Sequence, residues 1–570
     1  MNFAVELHRP DARPVVLSLQ GPFWMKQTIV REVDDLRVVV HVVGAGGPWA
    51  VDVEVQCTGV PSRCYVAVCA EQPGAETVNF DGPVTSEEIF RQSPHDPAQH
   101  NIDLARQAVP MAGLVIDGTT TILCSDNPSS CDNYTTQHIR PADGRVTVTS
   151  GDSGGRPGYR GLEVQIHYHE VTTDRPHRFR TIILRTDATT LAGRRLAVFE
   201  AVARRWSDVE AGPFYALCYG SNYMHLRCNE TGHSPVWIVP GVEYSNKQYT
   251  RDAFWQSMIM PPDIDQCCYD AVYPERYRYA ENAPLYLVWS MRVAEAGGTV
   301  NPERMDDALA FMEEHTRDGA FHPPAKGRPN FRSWYDLVAF DDDDCISYNQ
   351  GLFTTALVAA KHLGLNPTTD PDCAAEVYRG LFNDEQGYYP LSRKKPALCV
   401  DAFAGDLLHR LLFGGHLLPT DTVARHFDLL NRVSKTDYGY KVTCAPDGSY
   451  LPGRFYGSGD FLAEAFAGTH TPGKYQWGGS WCLYDMLCLM DMVAHGIDGA
   501  DEAARWRMRL EFSIDGTYHE YIDTVTGEPE KPNQGWNACV WPIWHQLVEA
   551  GLADDRFLLK LTGCSGVLSR

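Results

Sequence analysis

The chain has few positive charges for its size. Its 570 residues include 50 Lys and Arg against 73 Asp and Glu, which gives a formal net charge of −23. A field of that sign repels nucleic acid and anionic lipid surfaces, so neither is an expected partner. Long apolar runs are also missing from the sequence. No stretch approaches the ~18 apolar residues that a membrane helix needs, so we expect no membrane association.

Several signatures of other protein classes are missing as well. The opening "MNFAVELHRPDARPVVLSLQG" has no basic start followed by an apolar segment, so we expect no signal peptide. The sequence contains no P-loop and no GxGxxG between a strand and a helix. These absences argue against nucleotide binding. The 17 cysteines are an odd number, so they cannot all be paired, and we expect reduced thiols and a cytoplasmic protein.

Residues 1–187 alternate apolar and polar side chains with the period of half-buried strands. Segments such as "LRVVVHVVG", "AVDVEVQC" and "HRFRTIILRTD" are short and rich in Val, Ile and Thr, and turn residues separate them. Many short strands at close intervals predict an antiparallel β-sandwich. The following "LAGRRLAVFEAVARRWSDVEAG" has a helical period, and residues 188–212 are predicted to form a linker helix.

Residues 213–570 read as helices joined by long loops that are rich in aromatic residues. Apolar helical segments recur, and each is followed by a glycine of the kind that ends a helix in the left-handed conformation. Six helical hairpins that close on themselves would form an all-α (α/α)6 barrel; the alternative is an irregular helical domain. These helix-ending glycines are Gly212, Gly297, Gly364, Gly414, Gly496 and Gly551.

Four of the predicted loops combine carboxylates with aromatic side chains. They read "GVEYSNKQYTRDAFWQSMIM", "RSWYDLVAFDDDDCISYNQG", "TPGKYQWGGSWCLYD" and "GTYHEYIDTVTGEPEKPNQGWNACVWPIW". Sugar rings pack their C–H faces on aromatic rings, and their hydroxyls bind Asp, Glu, Asn and Arg. Cleavage of a glycosidic bond needs two carboxyl groups, one to protonate the leaving oxygen and one to activate water or attack carbon. The loops therefore predict a carbohydrate site at one mouth of the barrel.

The order of these loops resembles the six-hairpin glycosidase superfamily, which includes glucoamylases, trehalases and glycogen-debranching enzymes. "YTRDAFW" is similar to the debranching-type loop whose Asp binds the terminal sugar, and "RSWYDLV" to the stretch that holds the general acid. "HEYIDTVTGEPEKPNQGW" resembles the late loop that holds the general base. The chain departs from the debranching pattern, since it lacks a Trp before Arg251 and has Tyr335 where Met is typical.

The resemblance implies that Asp336 is the general acid and Glu520 the general base of an inverting, exo-acting glycoside hydrolase. We expect a carbohydrate as the substrate, no cofactor and no metal ion, and a homo-oligomer is compatible with the sequence. The predicted substrate-binding residues are Glu243, Arg251, Asp252, Trp255, Trp334, Tyr335, Asp343, Tyr348, Asn349, Gln350, Tyr475, Trp477, Trp481, His519, Gln534 and Trp536.

Some residues admit other roles. The run Asp341–Asp344 could bind sugar hydroxyls, face solvent, cap the next helix or hold calcium, although the EF-hand spacing is absent. Cys218, His225, Cys228 and His233 depart from the common zinc spacings and are more typical of packing residues.

Three other functions stay open at this point. A glycoside phosphorylase would use phosphate in place of activated water and would not need Glu520 as a base. A sugar epimerase or polysaccharide lyase would use His or Tyr for proton transfer. A catalytically silent sugar-binding protein would keep the aromatic residues but would not depend on both Asp336 and Glu520.

Overall fold

The computed structural model divides the chain into two compact units. Unit 1 comprises Met1–Lys247, Asp515–Thr517 and Leu558–Arg570, and unit 2 comprises Gln248–Ile514 and Tyr518–Phe557. The residues that the structure describes are 1–10, 12–19, 26–44, 48–79, 111–125, 129–130, 138–142, 144–150, 168–206, 226–228, 235–241, 248–258, 260–272, 280–322, 324, 332–335, 337–456, 471–530 and 534–553.

Unit 1 is built from antiparallel sheets. One sheet has seven strands in the order β3-β4-β5-β14-β9-β8-β7, and another has the order β11-β12-β6-β1-β2 with β13 also paired to β6. A small third sheet has the order β10-β15-β16. The strands are β1 Asn2–His8, β2 Val15–Leu19, β3 Gln27–Val33, β4 Leu36–Val43, β5 Trp49–Cys57, β6 Ser62–Glu71, β7 Glu76–Asn79, β8 Met111–Ile116, β9 Thr119–Ser125, β10 Ser129–Ser130, β11 His138–Ala142, β12 Arg145–Thr149, β13 His169–Val171, β14 His177–Thr186, β15 Leu226–Cys228 and β16 Pro235–Ile238.

The alternation read from the sequence is the reason these strands pack as they do. In β4, Leu36, Val38, Val40 and Val42 are buried while the intervening side chains face outward. The two large sheets contact one another through β5 with β6 and through β8 and β9 with β11 and β12. The inward apolar faces therefore form a core between two layers. The helix that follows, α1 Leu191–Trp206, contacts β14.

Unit 2 consists of helices joined by long loops with two-residue strand pairs. Its helices are α2 Thr250–Ser257, α3 Pro262–Asp270, α4 Asn282–Glu295, α5 Pro302–Glu314, α6 Ser347–His362, α7 Pro371–Arg379, α8 Ala404–Phe413, α9 Thr420–Val433, α10 Gly453–Tyr456, α11 Cys482–Ala494, α12 Ala500–Asp515, α13 Gly535–Ala538 and α14 Val540–Glu549, with a 3-10 turn at Asp401–Phe403. Its strands are β17 Thr316–Arg317, β18 Ala320–Phe321, β19 Leu398–Cys399, β20 Lys435–Thr436, β21 Gly439–Tyr440, β22 Thr443–Cys444, β23 Tyr521–Ile522 and β24 Pro529–Glu530.

Alternate helices of unit 2 form a closed ring of contacts. In chain order, α2 contacts α4, α4 contacts α6, α6 contacts α8, and α8 contacts α11. α11 contacts α13 and α14, and α13 contacts α2, which closes the ring. The helices between them lie outside the ring, since α3 and α5 contact α4, α7 contacts α6 and α9 contacts α11. Every residue of α11 is buried, as expected of a helix with neighbours on all sides.

Glycine residues end several ring helices and also lie where two of these helices contact each other. The predicted helix-ending glycines at 297, 364, 414, 496 and 551 all have positive φ, between 71° and 78°, which confirms that part of the prediction. Gly212 lies outside the described residues. Where α6 and α8 meet, a Cβ on Gly405 would overlap the backbone of Gly351, so these helices approach at backbone contact.

The fold agrees with the sequence expectations in its main division, an antiparallel sheet region followed by a helical region. The domain bounds at residues 187, 212 and 213 stay predictions. The described cysteines are free thiols, and most are buried. Within the described ranges, no helix combines the length and the hydropathy that a bilayer crossing requires.

Candidate functional site

Six aromatic side chains come together where the ring helices begin. Trp334 stacks on Tyr484 with ring centroids 3.8 Å apart, and Trp481 lies 5.2 Å from Trp334. Trp481 also contacts Tyr521 at 5.8 Å and Trp536 at 5.6 Å. Tyr348 approaches Tyr484 edge-on at 6.0 Å. We call these residues the aromatic group: Trp334, Tyr348, Trp481, Tyr484, Tyr521 and Trp536.

A buried carboxylate fixes the first member of this group. Asp401 accepts hydrogen bonds from Trp334 Nε1 at 2.7 Å and from the Tyr335 hydroxyl at 3.0 Å. Burial raises the pKa of Asp401 to about 6, although the bonds from Trp334, Cys399 and Tyr335 oppose that rise. Asp401 was not predicted from the sequence, and it orients the two residues that precede the predicted general acid.

A single amide side chain holds the backbone on both sides of position 336. Gln476 donates from Nε2 to the Trp334 carbonyl oxygen at 3.0 Å, and its Oε1 accepts from the Leu337 N–H at 2.9 Å. Gln476 is itself buried. Asp336 lies outside the described residues, so its side chain and its distance from Glu520 are not described. Its neighbours Tyr335 and Leu337 are buried.

An ion-paired cluster adjoins the aromatic group at the start of α2. Arg251 donates to Asp252 Oδ1 at 2.9 Å and to Glu281 Oε1 at 3.2 Å. Burial raises the pKa of Asp252, while the charge of Arg251 opposes that rise. Burial also raises the pKa of the Tyr348 and Tyr484 hydroxyls, and the charge of Arg251 acts on both in the opposite direction. Arg251 is therefore close enough to couple the cluster to the aromatic group.

The loop of the predicted general base is held by backbone and side-chain bonds. The Glu520 N–H donates to the Glu530 carbonyl at 3.0 Å, within a hairpin formed by β23 and β24. Asn537 donates from Nδ2 to the carbonyl oxygens of His519 at 2.5 Å and Glu520 at 3.1 Å. Glu520 is buried, and the next residue is Tyr521 of the aromatic group.

A buried network of charged side chains also binds the loop that contains Glu520. Arg507 donates to Asp485 Oδ2 at 2.6 Å and to Glu511 Oε2 at 2.8 Å. Glu511 Oε1 accepts from the His519 N–H at 2.8 Å and lies 3.4 Å from His519 Nδ1. The predicted residue His519 is thus tied to α12, one position before Glu520.

Other predicted site residues border the aromatic group. The Tyr475 ring lies 4.9 Å from Trp481 and 5.7 Å from Tyr521. Gln534 accepts from Trp536 Nε1 at 2.9 Å. Trp477, by contrast, contacts residues outside that group: it donates from Nε1 to the Leu451 carbonyl at 2.7 Å and packs on Tyr456.

A further set of predicted residues lies within the protein framework. Trp255 is fully buried against Phe254. Gln350 bonds the backbone of Phe321, Gly319 and Ala374, and Asn349 donates to the Arg332 carbonyl at 2.6 Å. Glu243 and the zinc candidates Cys218, His225 and His233 lie outside the described residues, and of Cys228 only the backbone is described.

The aspartate run has ion-pair and hydrogen-bond contacts, and the next helix, α6, has no side-chain cap at its start. Asp341, Asp342 and Asp343 are exposed. Lys394 pairs with both Asp343 and Asp341, and Arg332 pairs with Asp342. Asp344 is buried and accepts from the Ser392 hydroxyl at 2.6 Å and the Lys394 N–H at 3.0 Å. The negative charges of this loop are therefore balanced by nearby basic side chains.

Sequence reasoning missed the residues that join the predicted loops to one another. Gln476, Tyr484 and Tyr521 lie inside the predicted aromatic–acidic loops but were not singled out there, and the others lie outside those loops. Only their position at the start of ring helices or beside a predicted residue could have singled them out. The missed residues are Glu281, Asp401, Gln476, Tyr484, Glu511 and Tyr521.

Comparison with known proteins gives structural matches alone. No protein-family model matches the chain, and no curated protein matches it in sequence. A GH63 mannosylglycerate hydrolase from Thermus thermophilus, solved with glucose, is 11% identical with a TM-score of 0.37, and the match covers 54% of this chain and 96% of that one. A bacterial glucoamylase solved with acarbose is 12% identical with a TM-score of 0.38, and the match covers 96% and 88%.

A structure named sialidase is 9% identical with a TM-score of 0.42, and the match covers 89% of this chain and 54% of that one. The mannosylglycerate hydrolase and the glucoamylase are members of the six-hairpin glycosidase superfamily, which the motifs of this chain resemble.

Proposed function

We propose that this chain is a glycoside hydrolase that acts by inversion on the end of a soluble oligosaccharide or glycoside. Asp336 is the proposed general acid and Glu520 the proposed general base. The proposed scaffold is an (α/α)6 barrel at residues 213–570, preceded by a β-sandwich at 1–187 and a linker helix at 188–212. The closed ring of alternate helices in unit 2 is the arrangement that the inner layer of such a barrel requires.

One observation carries the proposal: residues close in the chain to each candidate carboxylate belong to a single aromatic group. Asp336 follows Trp334 by two positions, and Glu520 directly precedes Tyr521. Trp334 and Tyr521 both pack on Trp481, at 5.2 and 5.8 Å between ring centroids. A sugar that packs against these rings would therefore have both carboxyl groups nearby, although they lie far apart in the chain.

The surroundings suit the two proposed roles. A general acid must hold its proton near neutral pH, and burial favours the neutral form of a carboxyl group. Tyr335 and Leu337, the chain neighbours of Asp336, are both buried. Arg251, Asp252 and Glu281 offer charged groups for sugar hydroxyls beside the aromatic rings. Inversion requires that the carboxyl groups stand roughly 6.5–9.5 Å apart, to admit water.

The direct test removes each proposed group while keeping its shape. Asp336→Asn and Glu520→Gln should each lower kcat by about 10²–10⁴-fold, the usual effect of a positioned acid or base. Aryl glycosides with activated leaving groups need little protonation, so they should partly restore Asp336→Asn but not Glu520→Gln. Asp343→Asn is the matched control, because Asp343 is exposed and paired with Lys394. Near-normal hydrolysis by Glu520→Gln, or inactivity of Asp343→Asn, would contradict the assignment.

Product analysis tests inversion, exo action and hydrolysis separately. The anomeric configuration of the first product, followed by proton NMR, should be opposite to that of the substrate. An exo enzyme should release one small product from the chain end at all stages of digestion. If the products form only with added phosphate and carry it, the protein is a phosphorylase, and Glu520 is not a base.

Gln476 offers a test of how Asp336 is positioned. In Gln476→Glu, a carboxylate oxygen would face the Trp334 carbonyl in place of the amide N–H that now donates to it. We expect kcat to fall about 10²-fold, since a displacement of about 1 Å can have that effect. Activated leaving groups should restore this variant as they restore Asp336→Asn. The exposed Gln386 is the control, and a Gln386→Glu variant should keep wild-type kcat.

A further inference from the structure

A second cluster of chemically active side chains lies apart from the aromatic group. Asp406 lies near the start of α8, His416 follows that helix, Asp491 is on α11, and His495 is its C-terminal cap. Each offers one ligand atom, and the four atoms lie within 4.8 Å of one another. Asp491 follows Tyr484 by seven positions on α11, or about 10 Å along the helix, so this cluster is distinct from the aromatic group.

The contacts within the cluster converge on one oxygen. Asp406 Oδ2 lies 2.7 Å from His495 Nε2 and 3.3 Å from His416 Nδ1. The other oxygen, Oδ1, accepts from the backbone N–H groups of Leu417 and Leu418. These backbone bonds fix the carboxylate so that Oδ2 faces the two imidazole rings.

Both histidines are held through their other ring nitrogen. His416 Nε2 lies 3.3 Å from the Ala494 carbonyl oxygen, which can only accept, so this nitrogen carries the proton. His495 Nδ1 lies 3.0 Å from the Thr420 hydroxyl, which can also accept. In the neutral rings, the unprotonated nitrogens then face Asp406. Ligating histidines in metal sites are oriented in this way by outer hydrogen bonds.

Asp491 supplies an independent indication of a missing cation. Its side chain is fully buried, and neither of its oxygens accepts a hydrogen bond from the described residues. His495 Nε2 lies 3.7 Å from Asp491 Oδ2, beyond hydrogen-bond range. A buried carboxylate without hydrogen bonds is costly, and a second carboxylate within 4.8 Å adds repulsion.

We propose that Asp406, His416, Asp491 and His495 bind one divalent transition-metal ion of the Zn²⁺ type. Two imidazole nitrogens and two carboxylate oxygens suit such an ion, and four protein ligands are typical of a structural site. The ion would tie the segment after α8 to α8 and α11, two neighbouring helices of the ring. Its role is to stabilise the fold, and the proposal does not depend on glycosidase activity.

The first test uses the wild-type full-length protein. Chelator-treated protein should bind one equivalent of Zn²⁺ in calorimetry, and Zn²⁺ should raise Tm in a concentration-dependent way. Co²⁺ should bind with the visible absorption of a site with nitrogen and oxygen ligands. Failure of the wild type to bind either ion, with no shift in Tm, would overturn the proposal.

The second test locates the bound ion. Asp491→Asn and His495→Asn should each weaken Zn²⁺ binding by at least ~100-fold, because loss of an outer partner alone typically costs 10–100-fold. His362→Asn, at an exposed histidine on α6, should bind Zn²⁺ like wild type. Unchanged affinity in both test variants would mean adventitious surface binding and would refute the site. If either variant fails to fold, the wild-type stoichiometry and Co²⁺ spectrum still decide the question.

Discussion

Asp401 offers the sharpest test of how the candidate site is held in place. Asp401→Leu keeps a side chain branched at Cγ but removes the acceptor for Trp334 Nε1 and the Tyr335 hydroxyl, bonded at 2.7 and 3.0 Å. Each buried donor left without a partner costs about 1–3 kcal/mol. With two such donors, we expect the free energy of unfolding to fall by about 2–6 kcal/mol at pH 5. Since Trp334 and Tyr335 directly precede the proposed general acid in the chain, kcat should fall as well.

Asp401→Asn is the informative comparison, because it mimics the protonated carboxyl group. Its oxygen can accept from Trp334 Nε1, and its N–H can donate to the Tyr335 hydroxyl oxygen, so the packing survives. Burial raises the pKa of Asp401 from 3.8 to about 6, so its contribution to stability is present below pH 3.8 and is lost as the pH rises through 6. Relative to Asp401→Asn, wild type should therefore lose about 2 kcal/mol of stability between pH 4 and pH 8.

Denaturant unfolding of wild type and both variants at pH 4, 5 and 8 measures these differences, with kcat measured on the same samples. Asp428→Asn, at an exposed aspartate on α9, should show no such pH dependence relative to wild type. The reasoning fails if Asp401→Leu keeps wild-type stability and kcat at pH 5. A difference between wild type and Asp401→Asn that does not change with pH would refute the raised pKa.

Two further predictions concern the framework. Glu511→Ala should destabilise the protein by about 3–5 kcal/mol, because it leaves the buried Arg507 with one carboxylate fewer. Glu502→Ala, at an exposed position of the same helix, is the control and should change the stability little. Equal unfolding midpoints for the two variants would contradict the network. Gly405→Ala should cost about 1–3 kcal/mol or more, since its Cβ would overlap the α6 backbone, and a wild-type Tm would refute that helix contact. Gly415→Ala, whose Cβ would meet only His409 at 3.8 Å, should be neutral.

Local features of the fold could be predicted because they depend on neighbouring residues. The alternation in "LRVVVHVVG" corresponds to β4, and that in "HRFRTIILRTD" to β14. Glycine after an apolar helical segment predicted helix ends, and all five described positions have the left-handed backbone that glycine favours. In "DGTYHEYIDTVTGE", Thr-Gly is a typical turn pair, and β23 and β24 form a hairpin around it, with Gly527 at positive φ.

Contacts between distant loops could not be predicted in the same way. Gln476 meets the backbone of Trp334 across 142 positions, and Asp401 meets Trp334 across 67. Neither residue carries a local signal, because one buried amide or carboxylate is common in any helical domain. Their importance comes from the partner that the fold brings to them. The same holds for Asp406, Asp491 and their two histidines, whose spacing matches no metal motif.

The aspartate run shows the opposite error, in which a strong local signal has a local explanation. Four consecutive carboxylates in "DDDD" draw attention, yet three of them are exposed and paired with Lys394 or Arg332. The buried member, Asp344, accepts from Ser392 and the Lys394 backbone. Their proximity to Trp334 follows from the position of the loop, and charge density by itself does not distinguish a site from a solvated turn.

The topology of unit 2 explains why the candidate site lies at the starts of the ring helices. Helices alternate between the ring and its outside, so two reversals of the chain separate successive ring helices, which are therefore expected to point the same way. Their first residues therefore meet, as Tyr348 of α6, Tyr484 of α11 and Trp536 of α13 do. The positive ends of the helix dipoles also meet there, which favours carboxylates such as Asp252 in the first turn of α2. Carboxylates and aromatic rings from separate loops thus meet because of the path of the chain. The sequence shows the order of these loops, but it does not show the distances between their side chains.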